Sequence, residues 1–582
     1  MNTPFKYIYV ALMATVGASL ASCVDKLDEV PDNRTEIDSP SKVASLLTSA
    51  YPYESPATIC ELSSDNLVDN NVVVPATHKS PYYDFHEEAY QWKDIENYST
   101  GSSDTPYAVW EAYYQGVSVC NHAIEAMKEM SDDPANDAEL APSWGEAHVL
   151  RAYLHFMLVN VFAEAYKDES QSQADRGIPY VTIPETTVHV DYSTSEFLHS
   201  VKETYDLIEQ DLVEGLPYVG DNYTSRAFHF NRNAANAFAA RFYLFKRDYA
   251  KCEQYATEAL GTNPASMLRN WSNINHNTAY TMRDSYWDES LNCNFMMQSC
   301  YSLQWRMMVS SGRFTYNSGT TFTKDGVSYT VPNTMGICVW DGSGPCWSGY
   351  LPCYSGSVYI AGGSQEYGAY LFRLIEYFEY TDKIAGIGYV HMLYLPFSAE
   401  ETLLCRAEAK LYQGNRQGAI EDLDFWAKSK QCTADLTQDR ITRFYDRSKA
   451  SNEYVSCIHP AEMGFPKVLT GADLAVLDCV LHFRRIETIH GGDRWFDIKR
   501  YGISFPHFYR AANEDEIHID SLTWNDKRRV LQLPSIIIES GYPANRTTGS
   551  SSGSSSSQSS AYGVAVTTST PEDELIKMPN LK

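Results

Sequence analysis

Flat aromatic rings are the chemistry this sequence supplies in quantity. It carries 42 Tyr and 11 Trp among 582 residues, and many stand where no helical periodicity explains them. Each such ring offers a face that packs on the C–H side of a sugar and an O–H or N–H that meets a hydroxyl at its edge. Trp340, Trp347, Tyr350, Tyr354 and Tyr359 lie among Gly and Pro, a setting suited to a rigid stacking platform. Asp65, Asn66, Trp92, Asn97 and Tyr98 form a second group of candidate ligand contacts, just before the first paired helix. Any one of the ten could be loop packing; together they favour a stacking surface.

Residues for covalent chemistry are not spaced for it. The chain has no G-x-S-x-G elbow, no G-x-x-x-x-G-K-[ST] loop, no H-E-x-x-H helix and no dinucleotide fingerprint. A glycosidase needs only two carboxylates at the right separation, so a surface glycoside hydrolase stays open among 74 acidic residues. No oxygen-rich local loop points to calcium. Thirteen Cys show neither a C-x-x-C pair nor Cys/His ligand spacing. The expectation is a non-enzyme with no catalytic residue, cofactor or metal. Cys120, Cys252, Cys405 and Cys479 fall in helical patterns and read as buried thiols. Cys293, Cys300, Cys338, Cys346 and Cys353 cluster in loop-rich sequence, where one or two disulfides are expected.

The N-terminus implies an address. Lys6 precedes an apolar run from Ile8 to Leu20, too short to span a bilayer, and Leu20-Ala21-Ser22-Cys23 follows. This resembles a bacterial lipobox, with residues 1–22 as signal peptide and Cys23 as the acylated first residue. Several acyl chains would hold firmly, since each buried CH2 contributes about 0.8 kcal/mol. Asp25, Asp28 and Glu29 open an acidic tether over 23–45 that resembles a surface-export signal. Loss of Lys6 takes the net charge from −28 to −29, a field that disfavours nucleic acid.

The elements that must position the rings are helices in pairs. Val109 to Met130 carries a stripe of Tyr113, Val117, Cys120, Ile124 and Met127. Ser143 and Glu146 fit a capping box ahead of a one-sided run from Ala147 to Phe162, and Ser193 and Glu196 fit another ahead of Val201, Tyr205, Ile208 and Leu212. Further helices are expected over Asn233 to Phe245 and Tyr249 to Leu260, and a last pair turns at Gly414-Asn415 after a start at Ser398 and Glu401. Degenerate, unevenly spaced pairs with small residues at their crossings look tetratricopeptide-like. A regular protein-binding repeat array would need 34-residue periodicity and no lipobox, so that reading ranks lower. The fold expected is mainly α, with helix pairs over 46–261 and 397–545 flanking an irregular, aromatic-rich excursion over 262–396 with short hairpins. Asp325-Gly326 marks one hairpin turn. A Ser-rich stretch over 546–570 reads as a linker, and 571–582 as a tail.

Several blocks carry a family resemblance. Glu146 to Tyr153 followed by Gly177-Ile178-Pro179, then Arg406-Ala-Glu408, then Arg484-Arg485-Ile-Glu487 with Gly492-Asp493-Arg494-Trp495-Phe496-Asp497, and Leu533-Pro534, resemble the hallmark segments of SusD/RagB-type nutrient-binding lipoproteins. His490-Gly491-Gly492-Asp493 departs from the family's more usual run, and the Ser-rich stretch interrupts the C-terminal tail. The resemblance implies four tetratricopeptide-like units under an irregular ligand-binding face, in an outer-membrane, cell-surface protein held by lipid on Cys23. It implies that the chain takes up an oligo- or polysaccharide and passes it to a SusC-like TonB-dependent transporter. It leaves a non-glycan nutrient as an alternative. Trp495 and Asp497 are expected to be structural.

Overall fold

The computed structural model describes residues 37–546 apart from 74–81, 185–191, 193, 195, 309–311, 317–320, 331–342, 350, 355–371, 450–451 and 511–515. Cys23, the leader, the tether and the Ser-rich stretch lie outside the described residues. The fold is mainly α. Its principal helices are α1 (Pro106–Met130), α2 (Ala141–Phe162), α3 (Val201–Gly215), α4 (Arg232–Lys246), α5 (Tyr249–Leu260), α6 (Ala279–Tyr286), α7 (Ala399–Tyr412), α8 (Arg416–Ser429), α9 (Gly471–Thr488) and α10 (Asp493–Tyr501). They pack in succession as α1 on α2, α2 on α3, α4 on α5, α5 on α7, α7 on α8 and α9, and α9 on α10.

Local chemistry sets most of the boundaries. Thr105 caps α1 through the Ala108 amide, with Pro106 at the first turn, where its missing N–H costs nothing. Helices α4 and α5 are separated by Arg247 in the left-handed region (φ 67°), after which Asp248 caps α5. Gly414 (φ 85°) turns α7 into α8, and Asn415 caps the latter. Ser398 caps α7 through the Glu401 amide, as the spacing predicts.

Two expected capping boxes are corrected. Helix α2 starts at Ala141, because Pro142 favours the first turn, so Ser143 already lies inside it. Glu146 instead accepts hydrogen bonds from Tyr51 Oη (2.6 Å) and pairs with His229 Nδ1 (2.8 Å). Nor is α2 one-sided: residues 143–162 are all buried, and its polar groups find partners inside, Arg151 forking onto Asp211 at 2.8 and 2.6 Å. For α3 the box belongs to Ser200 and Glu203; Ser193 falls outside the described residues.

The excursion is more ordered than the sequence suggests. It holds α6 and an antiparallel sheet in the order β2–β7–β6, made of β2 (Asn294–Cys300), β7 (Ile387–Ser398) and β6 (Tyr377–Asp382). The Asp325-Gly326 hairpin forms as expected, with φ of 52° and 77° at the turn, between β4 (Thr321–Lys324) and β5 (Val327–Thr330). Nor does the excursion stand apart, for β1 (Val68–Asp69) pairs with β3 (Phe314–Thr315). The expected disulfides do not form among the described residues. Cys293, Cys300, Cys346 and Cys353 are buried free thiols, and Cys346 is in thiol contact with Cys432, a residue outside that cluster. Cys338 lies outside the described residues.

Candidate functional site

The sheet and the N-terminal segment bring together a row of rings that no single stretch of sequence contains. In an antiparallel hairpin, alternate residues share a face. Tyr377 pairs with His391 and Glu379 with Tyr389, so these four side chains share one face of the β6–β7 hairpin. Tyr377 stacks on His391 (centroids 5.6 Å), His391 neighbours Tyr389 (6.1 Å), Tyr389 meets Tyr301 edge-on (5.4 Å) and Tyr301 leans on Tyr53 (5.9 Å). Tyr53, Tyr301 and Tyr389 are 38%, 41% and 36% exposed, unusually open for large rings that touch one another. At the far end the Arg283 guanidinium lies 3.7 Å over Tyr377 and 5.4 Å from the exposed Tyr280.

Backbone straps fix the row. The Tyr301 amide donates to the Tyr53 carbonyl (2.8 Å), and Gln298 Nε2 donates to the carbonyls of Pro52 (2.7 Å) and Glu54 (3.0 Å), lashing residues 52–54 to β2. Below them Asp104, in the left-handed region (φ 64°), accepts from Thr58 Oγ1, Ser302 Oγ and the Leu303 amide at 2.7–2.8 Å. Its own amide donates to Glu54. Burial, and then the carboxylate of Asp104, push Glu54 up to about 8.

Acids edge the row. Tyr389 Oη donates to Glu379 (2.8 Å), which raises the phenol's pKa. Burial and then Glu111 raise those of Tyr53 and Tyr107. Such a surface offers hydrophobic faces with acceptors at their edges, an arrangement for stacking a neutral hydroxylated ring.

The sequence-derived candidates fare unevenly. Trp92 is buried at 1% exposure, stacked 4.2 Å from His507 with its Nε1 donating to the Ser63 carbonyl. Asn66 is fully buried between Glu61 and Arg485. Asp65 is clamped by Arg485 and Arg494; burial opposes its charge, but the two guanidiniums hold the carboxyl below the usual range. These three are corrected to structural residues, because their polar groups are engaged within the protein. Asn97 is exposed and donates to Glu88 through both its amide groups. Tyr98 is half-buried against Phe85, its phenol pushed up to about 12 by burial and then by Glu88. Trp347 packs on Phe483 and His482, and Gly344 lies so close to its ring that a Cβ there would sit 2.3 Å from it. It reads as packing. Tyr354 ends the 3-10 turn Pro352–Tyr354, while Trp340, Tyr350 and Tyr359 lie outside the described residues. Tyr53, Tyr301, Tyr377 and Tyr389 are not among the rings the sequence singles out. For Tyr377 and Tyr389 the available signal is the two-residue alternation around Gly386 and Gly388; nothing local marks Tyr53 or Tyr301.

The hallmark motif is structural. Trp495 is fully buried, and Asp497 bridges Arg484 (2.9 Å) and Arg500 (2.7 Å).

A helix-pair scaffold presenting an irregular, ring-lined face is the class of protein these features define. Residues 25–244 match the SusD-like family described as starch-binding, associating with outer membrane. The SusD-like protein P38 of Formosa agariphila is 27% identical over 179 residues, a match that spans 30% of each chain. The fold is shared with a putative sugar binding protein from Bacteroides vulgatus (15% identity, 87% of this chain and 98% of that one, TM-score 0.54). It is also shared with a SusD superfamily protein from Bacteroides thetaiotaomicron (15% identity, 88% and 100%, TM-score 0.55). Over residues 25–244 the chain thus resembles the SusD-like family, and its fold is the one these two solved structures share.

Proposed function

We propose that this chain is a glycan-binding protein of the outer-membrane surface that captures an oligo- or polysaccharide without cleaving it. The observation that carries the proposal is the row Tyr53, Tyr301, Tyr389, His391 and Tyr377, with each ring within 6.1 Å of the next and three of them open to solvent. A sugar stacks through its C–H face, and successive rings at this spacing suit a chain better than a single unit. The family description, starch-binding and associating with outer membrane, supports the same reading. Glu111 and Glu379 at the edges favour neutral over anionic glycans.

The finer parts of the proposal are anchorage by acyl chains on Cys23 and delivery to a SusC-like TonB-dependent transporter. Trp340, Tyr350 and Tyr359 are proposed as further contacts, on the strength of their Gly- and Pro-rich setting.

The test is calorimetry against a panel of neutral and acidic polysaccharides, with Tyr301→Ala and Tyr389→Ala alongside and an assay for reducing ends. The expected result is saturable binding to a neutral glycan, weakened about tenfold by either substitution, which corresponds to about 1.4 kcal/mol. No reducing ends should appear. Binding unchanged in both variants would remove the ring row from the site, and released sugars would favour the glycosidase alternative. Retention of Cys23→Ala protein in the membrane fraction would count against the lipid anchor. Failure of the chain to co-purify with a TonB-dependent barrel would count against delivery.

A further inference from the structure

A second site lies behind the ring row, where the C-terminal end of β2, strand β7 and the connection from α9 to α10 meet. They line a cleft of about 60 Å³, open to solvent on one side, whose polar lining includes Arg241, Tyr394, Glu401, His490 and Asp493. That is more than one water requires, and the open side leaves room for the rest of a small molecule.

The walls present hydrogen-bonding groups that the protein does not use. His490 is 4% exposed, and neither of its ring nitrogens has a hydrogen-bond partner. Tyr394 is 7% exposed, and its hydroxyl also has none. A buried polar atom of this kind has given up water with nothing in return. His490 is also held in the left-handed region (φ 73°), where a residue with a Cβ sits at some expense. The strain is fixed from outside: Gln304 Nε2 donates to the His490 carbonyl (3.1 Å), and Arg373 donates to the carbonyls of Glu487 and Ile489 just before it. The backbone is braced and the ring packs 4.2 Å from that of Tyr316, while both its nitrogens go unpartnered.

We propose that this cavity binds a small neutral polyhydroxylated molecule, the size of one sugar unit, through His490 and Tyr394. Burial drives the imidazole well below its usual pKa, so it is neutral and offers one N–H donor and one acceptor. The Tyr394 hydroxyl can do either. A ligand hydroxyl donates and accepts at once and satisfies both. Charge balance argues against an ion. Arg241 is already shared between Glu401 (3.1 Å) and Asp493 (3.4 Å), so an anion would face two carboxylates and a cation would face Arg241 and Arg373. Tyr286, Leu374 and Met392 supply apolar wall for the C–H surface of such a molecule. The site is independent of the outer row, since a polymer would lie across the rings whereas this cavity takes a single unit.

The test is saturation-transfer NMR on the whole protein in detergent, with glucose, galactose, mannose and xylose as separate probes. Tyr394→Phe removes one oxygen and keeps the packing. His490→Asn removes the imidazole and keeps a residue that tolerates the left-handed backbone. At least one sugar should show transfer with the wild type, the dissociation constant rising tenfold or more in both variants and staying put in Tyr301→Ala. Transfer from no sugar, or transfer indifferent to both cavity variants, overturns the proposal. Transfer lost in Tyr301→Ala but kept in Tyr394→Phe also overturns it, by assigning the sugar to the outer row. A crystal soaked in the responding sugar should show it beside His490, and ordered waters alone there would overturn the assignment.

Discussion

At the scale of single residues, the ring row depends on a carboxyl that has been kept from ionising. Glu54 is the residue after Tyr53, it receives the Asp104 amide, and its folded pKa of about 8 stands above an unfolded value of about 4.3. A raised carboxyl binds its proton more tightly in the folded state. Its contribution to stability is therefore complete below the unfolded value and is lost as pH rises through about 8. Glu54→Gln mimics the protonated form at every pH. The two proteins should melt together below pH ~4, while the wild type falls progressively below the variant toward pH ~9. Melting curves across that range check this, and parallel curves would mean that Glu54 is already ionised in the fold. The strap to Tyr53 makes a second consequence measurable, for glycan affinity should drop over the same alkaline window in the wild type and not in Glu54→Gln.

At the scale of elements, the β6–β7 hairpin has one position that tolerates no side chain. A Cβ on Gly388 would lie 2.0 Å from the Glu379 carbonyl oxygen and 2.8 Å from the Phe378 ring. Gly388→Ala must therefore push the strands apart between Tyr377 and Tyr389. The hairpin stands out from the body, with residues 378–387 exposed on both faces. The substitution should thus cost glycan binding about tenfold or more while leaving the melting temperature of the whole nearly unchanged. A large loss of global stability would show that the hairpin belongs to the folding core. What the sequence reveals follows from the same distinction between local and assembled features. Helix α5 is legible to the residue because its cap at Asp248 and its stop at Gly261 are both local. The Asp325-Gly326 turn is legible because two positive φ values are demanded of two adjacent residues. Helix α2 is misread as one-sided because its buried polar residues are paired by partners from distant segments. The ring row is hidden for the same reason. Tyr53, Tyr301 and Tyr389 come from three elements, and only the register of β7 against both neighbours brings them together.

At the scale of the whole molecule, the segments that carry the hallmark motifs are joined by a buried ionic network. Arg484 on α9 donates to Glu401 on α7 (3.1 Å) and Asp497 on α10 (2.9 Å); Arg500 joins Asp497 (2.7 Å) to Glu408 (2.9 Å), and Arg241 on α4 completes the set through Glu401. Arg484, Glu408 and Asp497 are at most 1% exposed. Such a network is weak evidence for net stability, since a well-packed apolar core could do as well. Breaking it is another matter, because the remaining charges stay buried with too few partners. Arg484→Met, which keeps most of the volume, should cost about 3–5 kcal/mol, read as a lowered urea midpoint at unchanged slope. Removing the exposed pair of Arg443 and Asp439 should leave the midpoint where it was. If Arg484→Met shifts the midpoint no more than that surface change, the network is not what joins the four helices. Their union would then rest on the apolar packing around Trp495 and Phe496 alone.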